Sequence, residues 1–154
     1  MSENNAPEIK YDVFVSFRGE IRKGLLSHLT DAFKTKKINA FVDDKLEKGE
    51  DIWPSLVAAI ERSAILLIIF SPDYASSPWC LKEVAKIIEC QEKYGRTVIP
   101  VFYNIEPTHV KHQSGSYQEA FAEHATKHET EQQLWRRVLD KSAGFSGIES
   151  TNFQ

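Results

Sequence analysis

From Tyr11 onward, short apolar runs alternate with helical patterns. Val13-Phe14-Val15, Ile38-Asn39-Ala40-Phe41-Val42, Ala64 to Phe70, and Thr97-Val98-Ile99-Pro100-Val101-Phe102 have the length and apolar content of buried strands. The proline in the fourth run suggests a place near the sheet edge, because it donates nothing to a ladder. Between these runs, apolar residues recur at helical spacing. Leu25, Leu26, Leu29, Ala32 and Phe33 form one face, and Leu56, Val57 and Ile60 a second. Leu81, Val84, Ile87 and Ile88 form a third, and Leu134, Trp135, Val138 and Leu139 a fourth, which is stopped near Gly144 and Gly147.

Continuous apolar strands separated by helices predict a parallel sheet covered on both faces. The expected fold is α/β: a flavodoxin-like three-layer sandwich of four to five strands in the order 2-1-3-4-5. Residues 1–10 read as a flexible polar tail, 11–147 as the folded domain, and 148–154 as a C-terminal tail. In open sheets of this kind, ligands bind beyond the carboxyl ends of the strands, where the strand order reverses. That crevice lies between strand one, ending Ser16-Phe17-Arg18-Gly19, and strand three, ending Phe70-Ser71-Pro72. The loop after strand three delivers the helix that carries Trp79 and Glu83. These two residues are one helical turn apart and share a face. The stripe of Leu81, Val84 and Ile88 points elsewhere, so Glu83 is expected off the core stripe. Periodicity alone leaves two readings of it open: a functional acid above the crevice, or a surface acid paired with Lys86.

Composition narrows the class. The chain has 154 residues, 42% hydrophobic and 27% charged, with a net charge of −3. This suits one globular domain and argues against a nucleic-acid binder, which usually carries a basic footprint. The longest apolar run falls far short of the ~20 residues of a membrane helix, so no membrane partner is expected. Cys80 and Cys90 are ten residues apart in one helical pattern, farther than the ~7 Å a disulfide can span. Free thiols suit the cytosol, with the nucleus as the alternative. His124 and His128 have a zinc-compatible spacing but no third ligand and no intervening glutamate motif, so they read as a solvated helix face. Asp43 and Asp44 do not fit a phosphoacceptor site, which would need its acids at the ends of strands one and three.

Several motifs carry a resemblance. Tyr11-Asp12-Val13-Phe14-Val15-Ser16-Phe17-Arg18-Gly19 opens the domain. Phe41-Val42-Asp43-Asp44 is followed by Leu46 and Lys48-Gly49. Ser71-Pro72-Asp73-Tyr74-Ala75-Ser76-Ser77-Pro78-Trp79-Cys80-Leu81-Lys82-Glu83 follows strand three. Val98 to Tyr103, then Pro107-Thr108-His109-Val110 and Gln113, complete the set. In this order they resemble plant TIR (Toll/interleukin-1 receptor-like) domains, of the kind found at the N-terminus of nucleotide-binding leucine-rich-repeat disease-resistance receptors.

The resemblance implies a signalling domain of innate immunity that cleaves the nicotinamide–ribose bond of NAD⁺, or of NADP⁺, when it self-associates. It puts the catalytic glutamate on Glu83. The substrate-lining positions fall on Phe17, Arg18, Gly19, Gly49, Ser77 and Trp79, with NAD⁺ as substrate and no metal or other cofactor. Ser27 and His28 fall at a self-association surface. A non-catalytic adaptor acting by homotypic association is the alternative. The loop Gly19-Glu20-Ile21-Arg22 is one residue shorter than the family's usual Gly-Glu-Asp-(Thr or Ile)-Arg, and it lacks the aspartate that would cap the first helix. The family's final strand and helix are not evident after Gly147.

Overall fold

The computed structural model describes residues 5–42 and 52–149, except for the side chains of Glu20, Arg22 and Lys23. Asp43, Asp44, Leu46, Lys48 and Gly49 lie outside the described residues, as do residues 150–154. Five parallel strands form one sheet: β1 (Tyr11–Ser16), β2 (Ala40–Val42), β3 (Ser63–Phe70), β4 (Thr97–Phe102) and β5 (Ile148–Glu149), in the order β2-β1-β3-β4-β5. The helices are α1 (Ser27–Thr35), α2 (Trp53–Glu61), α3 (Pro78–Tyr94), α4 (Pro107–His112), α5 (Ser116–Lys127) and α6 (Gln132–Ala143).

Strand periodicity divides the sheet into two faces. Phe14, Leu66, Ile68, Phe70, Val98 and Phe102 point into a core shared with α2 to α6. Val13, Val15, Leu67, Ile69 and Val101 point the other way, against Leu25, Leu26, Leu29 and Phe33. Among the described residues, α1 and the turn before it are the only helical elements in that second core. Full burial on both faces is why β1 and β3 read as continuous apolar runs.

Two segments taken as tails are partly built into the domain. The Arg96 guanidinium donates to Pro7 O at 2.8 Å, Arg62 Nε donates to Glu8 O at 3.2 Å, and the Lys10 amide donates to Arg62 O at 2.7 Å. Backbone carbonyls of a polar stretch thus dock on two arginines of the sheet's lower edge. At the other end, Ile148 and Glu149 pair with Val101 and Phe102 and supply the fifth strand. Two residues are too short a run for alternation to reveal. Pro100 lies one residue before this pairing begins, next to the edge strand.

The approach to α1 is irregular. After a 3₁₀ turn at Gly19–Ile21, Arg22–Leu26 forms a π-helical turn that runs into α1. Neither start carries a described side-chain cap. A wider turn in place of a capped α-helical start is consistent with the shortened Gly19–Arg22 loop.

Candidate active site

β1 and β3 are neighbours in register, with Ser16 opposite Ile68. The order reverses between them, so their carboxyl ends open the crevice that the topology calls for. Beyond β3, a 3₁₀ turn at Tyr74–Ser76 leads into α3. Ser77 begins that helix. Its backbone is extended, and its hydroxyl accepts from the Cys80 amide at 3.2 Å, followed by Pro78 at the first helical position. Both signals fix where the helix starts, and hence where Glu83 sits one turn and a half later. Ser77→Ala is expected to lower stability by about 1 kcal/mol in urea unfolding.

Glu83 is buried at 1% exposure, inside the stripe formed by Cys80, Leu81, Val84, Ile87 and Ile88. This corrects the expectation that it stands off the core stripe. It is not the surface partner of Lys86 either. The Lys86 ammonium bonds Glu61 at 2.8 Å and Glu89 at 3.0 Å. Instead, the Glu83 carboxylate accepts from Ser16 Oγ at 2.6 Å. Ser16 Oγ is also 2.8 Å from the Tyr74 hydroxyl, which lies 3.2 Å from Cys80 O. All of these side chains are buried. Burial first, then the charges of Cys80 and Glu83, push the Tyr74 phenol well above its ordinary range, so it keeps its proton.

The other expected site residues divide into three groups. Arg18 lies at the mouth, its Nε 3.5 Å from Asp73 Oδ2, with both side chains about two-fifths exposed. This pair joins the end of β1 to the loop after β3. Gly19 has open space where a side chain would stand. Phe17 is 4% exposed and packs in the second core, while its carbonyl accepts from Cys80 Sγ at 3.6 Å. Its ring is core packing, and its backbone ties β1 to α3. Ser77 is 8% exposed and acts as the helix cap. Trp79 is half-buried and meets Trp53 edge to face at 5.5 Å, with the Lys82 ammonium 4.5 Å from the Trp53 ring and 5.3 Å from its own. Gly49 lies outside the described residues.

Sequence reading did not place Ser16, Asp73 and Tyr74 among the candidate site residues, although the first ends an apolar strand with a polar residue and the others sit in a quoted motif. It also misplaced His124. This histidine is 3% exposed and its Nε2 is 2.7 Å from Ala75 O, so α5 braces the turn that leads to α3. Burial, the largest cause, pushes the Cys90 thiol up to about 11, as for an inert structural cysteine.

The family model of the TIR domain matches residues 10–154. TMV resistance protein N of Nicotiana glutinosa is 44% identical over 151 residues, covering 95% of this chain and 13% of that protein. Disease resistance protein RPV1 of Vitis rotundifolia is also 44% identical over 151 residues, covering 95% of this chain and 11% of its own length. The chain therefore spans about an eighth of the curated relatives it matches. Among solved structures, the TIR domains of the activated Roq1 resistosome superpose with a TM-score of 0.83 at 41% identity, over 93% of this chain and 89% of that one. A five-stranded sheet in the order β2-β1-β3-β4-β5, the family model over residues 10–154 and this close structural match agree: the chain belongs to the TIR domain family, in the form found in plant disease resistance proteins.

Proposed function

We propose that this chain is an NAD⁺ nucleosidase that cleaves the nicotinamide–ribose bond upon self-association, with Glu83 as its catalytic carboxylate and NADP⁺ as an alternative substrate. The observation that carries this reading is the buried Glu83 carboxylate at the β1–β3 strand ends, held at 2.6 Å by Ser16. Burying an ionisable acid costs free energy, and such groups concentrate where chemistry needs them.

The reaction suits one carboxylate. Ribose–nicotinamide cleavage passes through an oxocarbenium-like state, as glycoside cleavage does. Nicotinamide leaves as a neutral molecule from a cation, so the leaving group needs no general acid. A fixed negative charge facing the sugar stabilises the developing positive charge, and in a dry site that effect is large. The chemistry calls for neither a metal nor a second cofactor.

Arg18 is the candidate for the pyrophosphate, because a guanidinium fork matches its oxygens. In the free chain it is held by Asp73. A pair this exposed is worth only about 0–1 kcal/mol, so a phosphate can displace it. Asp73→Asn is accordingly expected to lower the KM for NAD⁺ by about two- to fivefold, and an unchanged KM would remove Arg18 from this role.

Glu83 is closed off in the single chain, which favours a site completed by assembly. A relative of known structure described above, 41% identical, comes from a resistosome. Ser27 and His28 are exposed on α1 and offer a surface for a second copy. The test is nicotinamide release by concentrated protein in the cytosolic pH range. Release that rises more steeply than protein concentration, and vanishes in Glu83→Ala, is expected. Equal release by the two proteins, or none by the wild type at any concentration, overturns the reading.

A further inference from the structure

The contacts around Glu83 contain more acceptor positions than protons, and that imbalance sets a direction. With Glu83 ionised, the chain Glu83–Ser16–Tyr74–Cys80 O holds three close contacts, at 2.6, 2.8 and 3.2 Å. Only two hydroxyl protons are available to fill them, one on Ser16 and one on Tyr74. The shortest contact ends on the carboxylate, which only accepts, so the Ser16 proton goes there. The 2.8 Å contact then requires Tyr74 to donate, because two lone pairs at that separation repel. Tyr74 turns its proton towards Ser16 rather than towards the more distant Cys80 O.

We propose that Ser16 and Tyr74 are positioning residues for Glu83, forming a directed hydroxyl chain, Tyr74 to Ser16 to Glu83, that fixes the orientation of the carboxylate. The inference rests on the assignment of Glu83 as the reacting group. Tyr74 acts on the carboxylate through Ser16. Its donated bond polarises the Ser16 hydroxyl and holds its rotor, and bonds in such a chain strengthen one another. Anchoring is good at both ends. Ser16 is fixed by the β1–β3 ladder. Tyr74 is fully buried, with its ring edge to face against Phe70 at 5.1 Å. A carboxylate held in this way stays aimed when the crevice opens to substrate.

The test uses the whole chain. Ser16→Ala and Tyr74→Phe each delete a single oxygen from a filled position. S16A removes a bond to a charged group, and kcat for nicotinamide release is expected to fall about ten- to a hundredfold. Y74F removes a neutral bond one step away, for an expected fall of about three- to tenfold. KM stays within about twofold in both, since neither group is placed against substrate. A purely structural role would lower the melting temperature and leave kcat of the folded protein unchanged; that result overturns the proposal.

A second measurement needs no turnover. The infrared difference between wild type and E83Q isolates the Glu83 carboxylate stretch. Both substitutions are expected to shift that band, and a band unmoved in Y74F overturns the directed chain. If wild type releases no nicotinamide yet the band shifts, the reaction assigned to Glu83 fails while the hydroxyl chain stands. If release is normal and the band stays fixed, the chain fails while the reaction stands.

Discussion

Glu83→Gln is expected to cut nicotinamide release by at least about a hundredfold, the scale of losing one preorganised electrostatic group in a dry site, while leaving the protein as stable as the wild type. The two halves of this expectation have one cause. Glutamine keeps the size of the side chain and keeps an oxygen to accept from Ser16, which now bonds Glu83 at 2.6 Å. It removes only the charge. At 1% exposure that charge is held against a desolvation penalty of several kcal/mol. If the carboxylate served the fold, its neutralisation would lower the urea midpoint. If it serves the reaction, the midpoint holds or rises and turnover collapses. Paired urea unfolding and nicotinamide assays on the same preparation separate the two. Activity within a few-fold of wild type would remove Glu83 from the chemistry.

Gly147→Ala is expected to destabilise the domain by about 2–3 kcal/mol, at the upper end for overpacking. A Cβ at this position would stand 2.2 Å from Pro100 O and 2.7 Å from Pro100 Cγ. Neither atom can give way cheaply, since Pro100 sits inside β4 in register with Ile68 of β3. The strand that must move is β5, which is held by only two pairings. The contrast is Gly24. A Cβ there meets only the Tyr103 hydroxyl, at 3.7 Å, an ordinary contact within a helical turn. Gly24→Ala is therefore expected to be neutral or to gain about 0.5–1 kcal/mol. Urea midpoints of the two variants check the pair, and a Gly147→Ala protein as stable as wild type would show that β5 can shift without loss.

The sheet was legible in the sequence because its strands are buried on both faces. Thr97 to Phe102 is found as read, and the apolar run Ala64 to Phe70 gains only Ser63. The α/β alternation pointed to a parallel sheet, and the flavodoxin-like strand order assumed for it is the one found. Elements without an apolar run were not legible. β5 is two residues long, and α4 and α5 bury few residues each: Val110 in the first, and Tyr117, Phe121 and His124 in the second. The site was legible in outline only. The crevice, Arg18 and Glu83 came from topology and motifs. The inward direction of Glu83 did not, because hydrophobic periodicity assigns every charged residue to the outside. Ser16 and Tyr74 were invisible for a related reason: a hydroxyl at a strand end or in a turn carries no periodic signal, and its partner lies far along the chain.

That distance has a consequence for how the protein comes into being. Ser16 and Glu83 are 67 positions apart, and Ser16 and Tyr74 are 58 apart. No local segment contains the site. Closing loops of this length costs entropy that only the assembled sheet repays, and topologies dominated by such contacts fold slowly. During synthesis, β1 leaves the ribosome with its Ser16 hydroxyl facing water. The carboxylate it will hold does not yet exist as a helix. The buried acid therefore marks completion: Ser16 at the end of β1 can hold it only once β1 and β3 have paired and α3 has docked. A nascent or half-folded chain keeps the acid in solvent, away from the serine that holds it.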